Sequence, residues 1–338
     1  MNNCDFFSSP IGLGHVTRDI AIVKNLEDFS VNFVTGSGAA KILKKLNYNI
    51  DDVYNPPSFV VENGVLNNQT KWLWNYYQYY KNFKNISEKI IKKNNSELVI
   101  SDEDFASLTI AQEVKIPNIL ITDVLETKFT KGIASFIEKK MNKSMMNIIK
   151  NCDVVIIPEN GEDVDNIRRI GPIVREINLS REELRKKFSF NKKTILISVG
   201  GTDAGLFLIQ KSIESILKLN LDIEIILVTG PSITKKFDNV KNLGFVDNLH
   251  ELIYASDVVI SLAGKSTIDE AKAYGTPGIF IPIKDHFEQE NNSKNEGFTF
   301  NDINKLDELI LEKLDKKRNK VNTNGAELAA EIIRKFTK

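Results

Sequence analysis

The residues with the strongest chemical potential fall just after apolar runs. In the stretch from Ser256 to Ser293, a run ending Val-Val-Ile-Ser-Leu is followed by Ala263-Gly264-Lys265-Ser266-Thr267-Ile268-Asp269-Glu270. A second run then leads to His286-Phe287-Glu288-Gln289. A small-residue turn at a helix start exposes backbone N–H groups, which suit phosphate. Glu270 is a carboxylate in the first turn of that helix and suits a sugar diol. Glu288 and Gln289, in the next loop, suit hexose hydroxyls. The pattern points to a nucleotide-sugar site. At the other end of the chain, Gly12-Leu13-Gly14-His15-Val16-Thr17-Arg18 follows an apolar run. Histidine exchanges protons near neutral pH, so His15 is the candidate base. Asp102, after a third run, is its expected partner. A third turn, Gly200-Gly201-Thr202-Asp203, offers N–H groups and the Thr202 hydroxyl to a diphosphate.

Two of these signals carry plainer readings. Thr267 and Glu270 match a capping box, with Thr267 as N-cap and Glu270 at N3. Ser266 with Asp269 fits the same pattern one residue earlier and leaves Glu270 for a ribose. The first turn is not a dinucleotide fingerprint, because position 17 is Thr where that motif needs a third glycine. Asp102-Glu103-Asp104 formally matches an Asp-x-Asp metal pattern, but the triplet is too common to imply a metal, and none is expected.

These residues require strand–turn–helix units to position them. Short apolar runs predict strands at Cys4–Ser8, Val31–Thr35, Leu98–Ser101, Asn118–Thr122 and Val154–Ile157. A second series follows at Thr194–Val199, Glu224–Thr229, Asn242–Phe245, Asp257–Ser261 and Gly278–Ile281. Helical spacing lies between them, as in Leu206, Ile209, Ile213 and Ile216. Alternation of this kind predicts an α/β chain with parallel sheets, read as two Rossmann-like domains facing one another across a cleft. The Gly171-Pro172 break marks the linker. The expected division is 1–172, then 173–324, with a last helix in 325–338 returning to the first domain.

Composition narrows the class. The chain has 338 residues, 42% hydrophobic and 27% charged, with no formal net charge. Bulk attraction to nucleic acid is therefore not expected. Cys4 and Cys152 are the two cysteines, too distant in sequence for a zinc motif, and a reducing, cytoplasmic setting is the simple reading. The N-terminus shows no basic region followed by an apolar run, and no apolar stretch reaches the roughly 18 residues of a membrane span.

The motifs resemble the GT-B glycosyltransferases of family 28, the MurG-like type, over nearly the whole chain. Gly12-Leu13-Gly14-His15 looks like that family's first glycine turn, Gly200-Gly201-Thr202 like its second, and Ala263–Pro277 with Glu288-Gln289 like its donor-binding region. The resemblance implies a UDP-sugar donor and an inverting, metal-independent transfer to a hydroxyl acceptor. By that resemblance Glu270 holds the ribose, and Gly14, Gly201, Thr202, Gly264, Ser266 and Thr267 lie near the diphosphate. Val246 reads the uracil edge, Glu288 and Gln289 meet the sugar, and His15 with Asp102 supplies catalysis. The first turn departs from the family in being shorter and carrying Arg18. Gly-x-Gly-His-x-x-Arg with Gly-Gly-Thr-Asp is also similar to the PseG-like hydrolases of UDP-linked deoxysugars, so hydrolysis or epimerisation is the competing reading. A non-catalytic sugar-nucleotide binding subunit is the third, and the candidate base His15 argues against it.

Two surfaces are candidates for the acceptor. Trp72, Tyr76, Tyr79, Tyr80 and Phe83 share a helical face, which reads as core or as a ligand platform. Lys128–Lys150 carries six Lys against one Glu, with Phe129, Ile133, Phe136, Ile137 and Met141 interleaved. It reads as a solvated helix with one buried face, or as a helix at the inner face of a membrane reaching a lipid-linked acceptor.

Overall fold

Every strand expected from an apolar run is present in the computed structural model, within a residue or two at its ends. The structure describes residues 2–132, 134–200, 203–230, 233 and 235–336. The chain divides into two compact units: Met1–Phe59, Asn68–Val174 and Thr323–Lys338 form the first, Val60–Asn67 and Arg175–Asn322 the second.

The first unit runs β1 (Asn2–Ser8), α1 (Gly14–Val23), β2 (Phe29–Thr35), α2 (Ser37–Lys45) and β3 (Asn49–Asp52). After the excursion of Val60–Asn67, which contains β4 (Val60–Glu62) and β5 (Val65–Asn67), it continues with α3 (Gln69–Asn94) and β6 (Leu98–Asp102). Then come α4 (Phe105–Val114), β7 (Asn118–Ile121), α5 (Ala134–Lys150), β8 (Val154–Ile157) and β9 (Ile167–Arg169). Its sheet is parallel, in the order β3-β2-β1-β6-β7-β8-β9. This doubly wound order reverses next to β1, so β1 and β6 lie side by side with Ser8 opposite Asp102. Ligand sites of such sheets form at the C-terminal strand ends around that reversal. The edge strands β3 and β9 gave no sequence signal. An edge strand is buried less than a central one, and Asn49–Asp52 is a polar run.

The second unit runs α6 (Arg181–Phe188), β10 (Lys193–Ser198), α7 (Leu206–Lys218), β11 (Ile223–Val228), β12 (Lys241–Gly244), α8 (Leu249–Ala255) and β13 (Val258–Leu262). It ends with α9 (Lys265–Tyr274), β14 (Gly278–Ile281), α10 (Phe287–Asn295) and α11 (Leu306–Asp315). Its parallel sheet is ordered β12-β11-β10-β13-β14. The final helix, α12 (Gly325–Arg334), belongs to the first unit and packs on α1, with Ala329, Ala330 and Ile333 buried. A Cβ on Gly325 would stand 2.4 Å from the Pro172 carbonyl oxygen, so only glycine allows the chain to re-enter there.

One part of the expected division changes. Residues 60–67 were included in the 1–172 domain, but the β4–β5 hairpin joins the second unit. Leu66 N donates to Lys284 O at 2.9 Å and Lys284 N to Gly64 O at 2.8 Å. Gly64 has φ +79, and a Cβ there would stand 2.8 Å from the rings of Phe207 and Phe300. Pairing across more than 200 residues leaves no local pattern to read.

The aromatic stripe on α3 is largely core. Phe83 stacks on Tyr54 at 4.0 Å and Trp72 on Phe59 at 4.3 Å, and the Trp72 Nε1–H donates to Pro57 O. Tyr79 and Tyr80 pack against the same cluster.

Candidate active site

The first cluster grows from the paired ends of β1 and β6. Beyond Ser8 the chain turns at Gly12, whose φ of +86 favours glycine, and α1 begins at Gly14. Positions 15, 18 and 19 of α1 share one helical face, one turn apart. His15 Nδ1 lies 2.9 Å from Asp102 Oδ1. The Asp102 carboxylate is acceptor-only, so Nδ1 carries the proton. Arg18 grips the same carboxylate with Nε at 2.6 Å and Nη2 at 2.5 Å, and its Nη1 spans both oxygens of Asp123 at 2.8 and 2.7 Å. On the opposite side of the imidazole, Glu103 Oε2 stands 3.7 Å from Nε2.

The electrostatics follow from burial and these pairings. Burial alone would raise the Asp102 carboxyl, but Arg18 and then His15 more than reverse this and hold it well below the usual range. Burial works against charge on His15 too. Asp102 and Glu103 overcome it and push the imidazole up to about 9. Resting His15 is therefore an imidazolium at neutral pH. Burial, reinforced by Asp102, raises Asp19, whose Oδ2 is bonded to the Ser8 hydroxyl. Asp104 serves a different end, capping α4 by accepting from Ser107 N at 2.8 Å. Asp102 and Asp104 do not converge, and among the described residues no group of three or more His, Cys, Asp or Glu is placed to hold a metal.

The second cluster surrounds the start of α9. Gly264 is its N-cap and makes no side-chain cap. Ser266 and Thr267 occupy the first turn, where backbone N–H groups lack helical partners. A Cβ on Gly264 would meet nothing within 4 Å. Neither capping-box register forms, because the helix begins at Lys265, three residues earlier than a Thr267 cap requires. That start also moves Glu270 from the first turn to the second. Glu270 is buried and not open as expected: Arg175 Nε and Nη2 donate to its two oxygens at 2.7 and 3.1 Å. Burial opposes the charge of Arg175, and Glu270 outweighs that, leaving the guanidinium raised. Arg175 Nη1 also donates to Asp247 O at 3.0 Å, so one side chain ties Glu270 to the loop that carries Val246.

Glu288 and Gln289 lie in the first turn of α10, not in a loop. Gln289 Oε1 accepts from Ile283 N at 3.1 Å. His286 caps this helix, and burial lowers its pKa to about 4, so it accepts as a neutral ring. Asn292 Nδ2 donates to Ala263 O at 3.2 Å and fastens α10 to the turn before α9. Gly201 and Thr202 lie outside the described residues. Gly200 before them has φ +82, and a Cβ on Gly205 would strike Val199 at 2.3 Å. Sequence reasoning missed Glu103, Asp123, Arg175 and His286. Arg175 gave no signal, sitting beside the linker and 95 positions from Glu270.

Residues 194–338 match the glycosyltransferase family 28 C-terminal domain. An uncharacterized glycosyltransferase of Methanopyrus kandleri is 26% identical over 218 residues, spanning 61% of this chain and 62% of its own length. A UDP-N-acetylglucosamine–N-acetylmuramyl-(pentapeptide) pyrophosphoryl-undecaprenol N-acetylglucosamine transferase of Clostridium botulinum is 28% identical over 361 residues, covering 96% of each chain. The crystal structure of Acinetobacter baumannii MurG shares the fold with a TM-score of 0.57 at 15% identity, over 99% of this chain and 100% of that one. The second half of the chain is thus similar to the glycosyltransferase family 28 C-terminal domain, its full length is similar to a curated N-acetylglucosamine transferase, and its two Rossmann-like units share the GT-B fold of MurG.

Proposed function

We propose that the chain transfers a sugar from a UDP-sugar to a hydroxyl acceptor with inversion and without a metal. The observation that carries this reading is the His15–Asp102 contact at 2.9 Å. Asp102 orients the imidazole with Nε2 outward. Once deprotonated, Nε2 takes the acceptor proton as the acceptor oxygen attacks the anomeric carbon from the face opposite the diphosphate. The sugar–phosphate bond breaks, and its electron pair leaves with UDP. The first turn of α9, from Gly264 through Thr267, supplies N–H donors and a positive helix end to the diphosphate. Gly14, Gly201 and Thr202 are assigned to the same anion, Val246 to the base, Glu270 to the ribose, and Glu288 and Gln289 to the transferred sugar.

Thermal shift with nucleotides tests the donor, since a ligand of the folded state at 100 times its dissociation constant adds about 2.7 kcal/mol. UDP and UDP-sugars are expected to raise the melting temperature more than GDP or dTDP. No response to any uridine nucleotide would overturn the donor assignment. UDP release that needs no added acceptor would mark a hydrolase instead.

For the acceptor we favour a lipid-linked hydroxyl, met at the cytoplasmic face of a membrane through residues 128–150. Phe136 and Ile137 are 75% and 54% exposed, and Trp74 is 59% exposed. Glu138, the single acid of that stretch, is turned inward, accepting from Phe129 N, Thr130 N and the Thr127 hydroxyl. The lysines are left to set its surface charge. Ile133 lies outside the described residues, and among those described no helix is long and apolar enough to cross a membrane. Peripheral binding predicts co-flotation with vesicles containing anionic lipid and loss of flotation in Phe136→Glu; absence of flotation on any vesicle removes the idea.

A further inference from the structure

We infer that Glu103 is a second positioning residue for His15, holding the Nε2 side of the imidazole as Asp102 holds Nδ1. The inference rests on the reading of His15 as the proton acceptor and extends it to a residue outside the Asp102 pair.

The geometry is specific. Glu103 follows the last residue of β6 in a left-handed backbone conformation, φ +58, which side chains other than glycine rarely adopt. Such strain persists where the surroundings enforce it, and it gathers at functional sites. Here the enforcement is visible. Oε1 accepts from Thr122 Oγ1 and from Asp123 N, both at 3.1 Å, which fixes the carboxylate and leaves Oε2 toward His15 Nε2 at 3.7 Å. That separation is too long for a hydrogen bond. It still leaves the two atoms attracting through charge. A hydroxyl that approaches Nε2 comes within reach of Oε2 as well. The other groups around the ring are accounted for. Asp102 and the Arg18 guanidinium meet Nδ1, at 2.9 and 3.3 Å. Asp123 is taken by Arg18, Asp19 is bonded to Ser8, and Asp104 caps α4. Tyr76 on α3 is raised by burial first and then by Asp104 and Glu103. Glu103 is therefore the carboxylate that faces Nε2. Its role is to keep the Nε2 proton in place and aimed until an acceptor arrives, which sets the pH at which His15 becomes a base.

The test is a histidine-ring NMR titration of the full chain, paired with a pH profile of kcat/KM. His15, His250 and His286 are the three histidines, and the signal lost in His15→Gln assigns the first. In Glu103→Gln the His15 midpoint should fall by about 1 pH unit, the usual effect of removing one nearby opposite charge. The low-pH limb of kcat/KM should move down with it. Glu113→Gln, on α4 at a surface ion pair with Lys84 of α3, should move neither. If Glu103→Gln does not fold, Glu103→Gly removes the carboxylate and suits the left-handed backbone. A His15 midpoint unchanged in the folded variant overturns the inference. A midpoint that falls while the rate limb stays in place upholds the pairing and refutes His15 as the base.

Discussion

Replacing His15 by alanine is expected to lower turnover by about 10²- to 10⁴-fold, the range for losing a general base. The fold should survive, because Asp102 keeps both oxygens bonded to Arg18 in the absence of the imidazole. Since the lost interaction develops only as the acceptor proton moves, kcat and kcat/KM should fall together while donor affinity holds. Near-normal turnover would end the assignment. The pH profile sharpens it. A base must be deprotonated to act, and resting His15 titrates at about 9. Its base form therefore grows with pH, and kcat/KM should climb about tenfold per unit across neutrality and level off above about 9. A profile flat from about pH 6 to 8 would mean that His15 works as a cation toward the diphosphate and that another group takes the proton.

What the sequence revealed and what it hid divide along a physical line. Central strands such as β6 and β13 are buried on both faces, so each is a short, mostly apolar run that can be read directly. Residues just past such runs, such as Asp102 and Gly264, inherit a known position from the strand, and His15 inherits its position from the turn that follows β1. Edge strands and the β4–β5 hairpin carry no such run. Arg175 pairs with a residue in another element and far along the chain, and nothing in its neighbours marks it. Glu103 was visible only as the middle of an acidic triplet; its meaning lies in φ +58 and in the two donors that hold it. Helix starts were the least legible feature. Thr267 looked like a cap, but Gly264 allows the helix to begin at Lys265. That shift changed Glu270 from a first-turn residue into one with a buried partner.

Glu270 accordingly carries the largest expected effect on stability. Glu270→Ala should destabilise the chain by about 3–5 kcal/mol, because it strands the Arg175 guanidinium in a buried setting. The single substitution cannot by itself separate a structural role from a donor-binding one, since both predict damage. The double variant Arg175→Met with Glu270→Leu separates them. Replacing both partners of a buried pair with apolar groups of similar size removes the stranded charge, so most of the stability should return. UDP affinity can then be measured calorimetrically on a folded protein. If Glu270 accepts the ribose hydroxyls, breaking away from Arg175 in part to do so, the double variant should bind UDP about tenfold or more weakly, the loss of one hydrogen bond to a charged group. If Glu270 only balances the buried Arg175 charge, the stable double variant should bind UDP like the parent chain, and the ribose assignment falls.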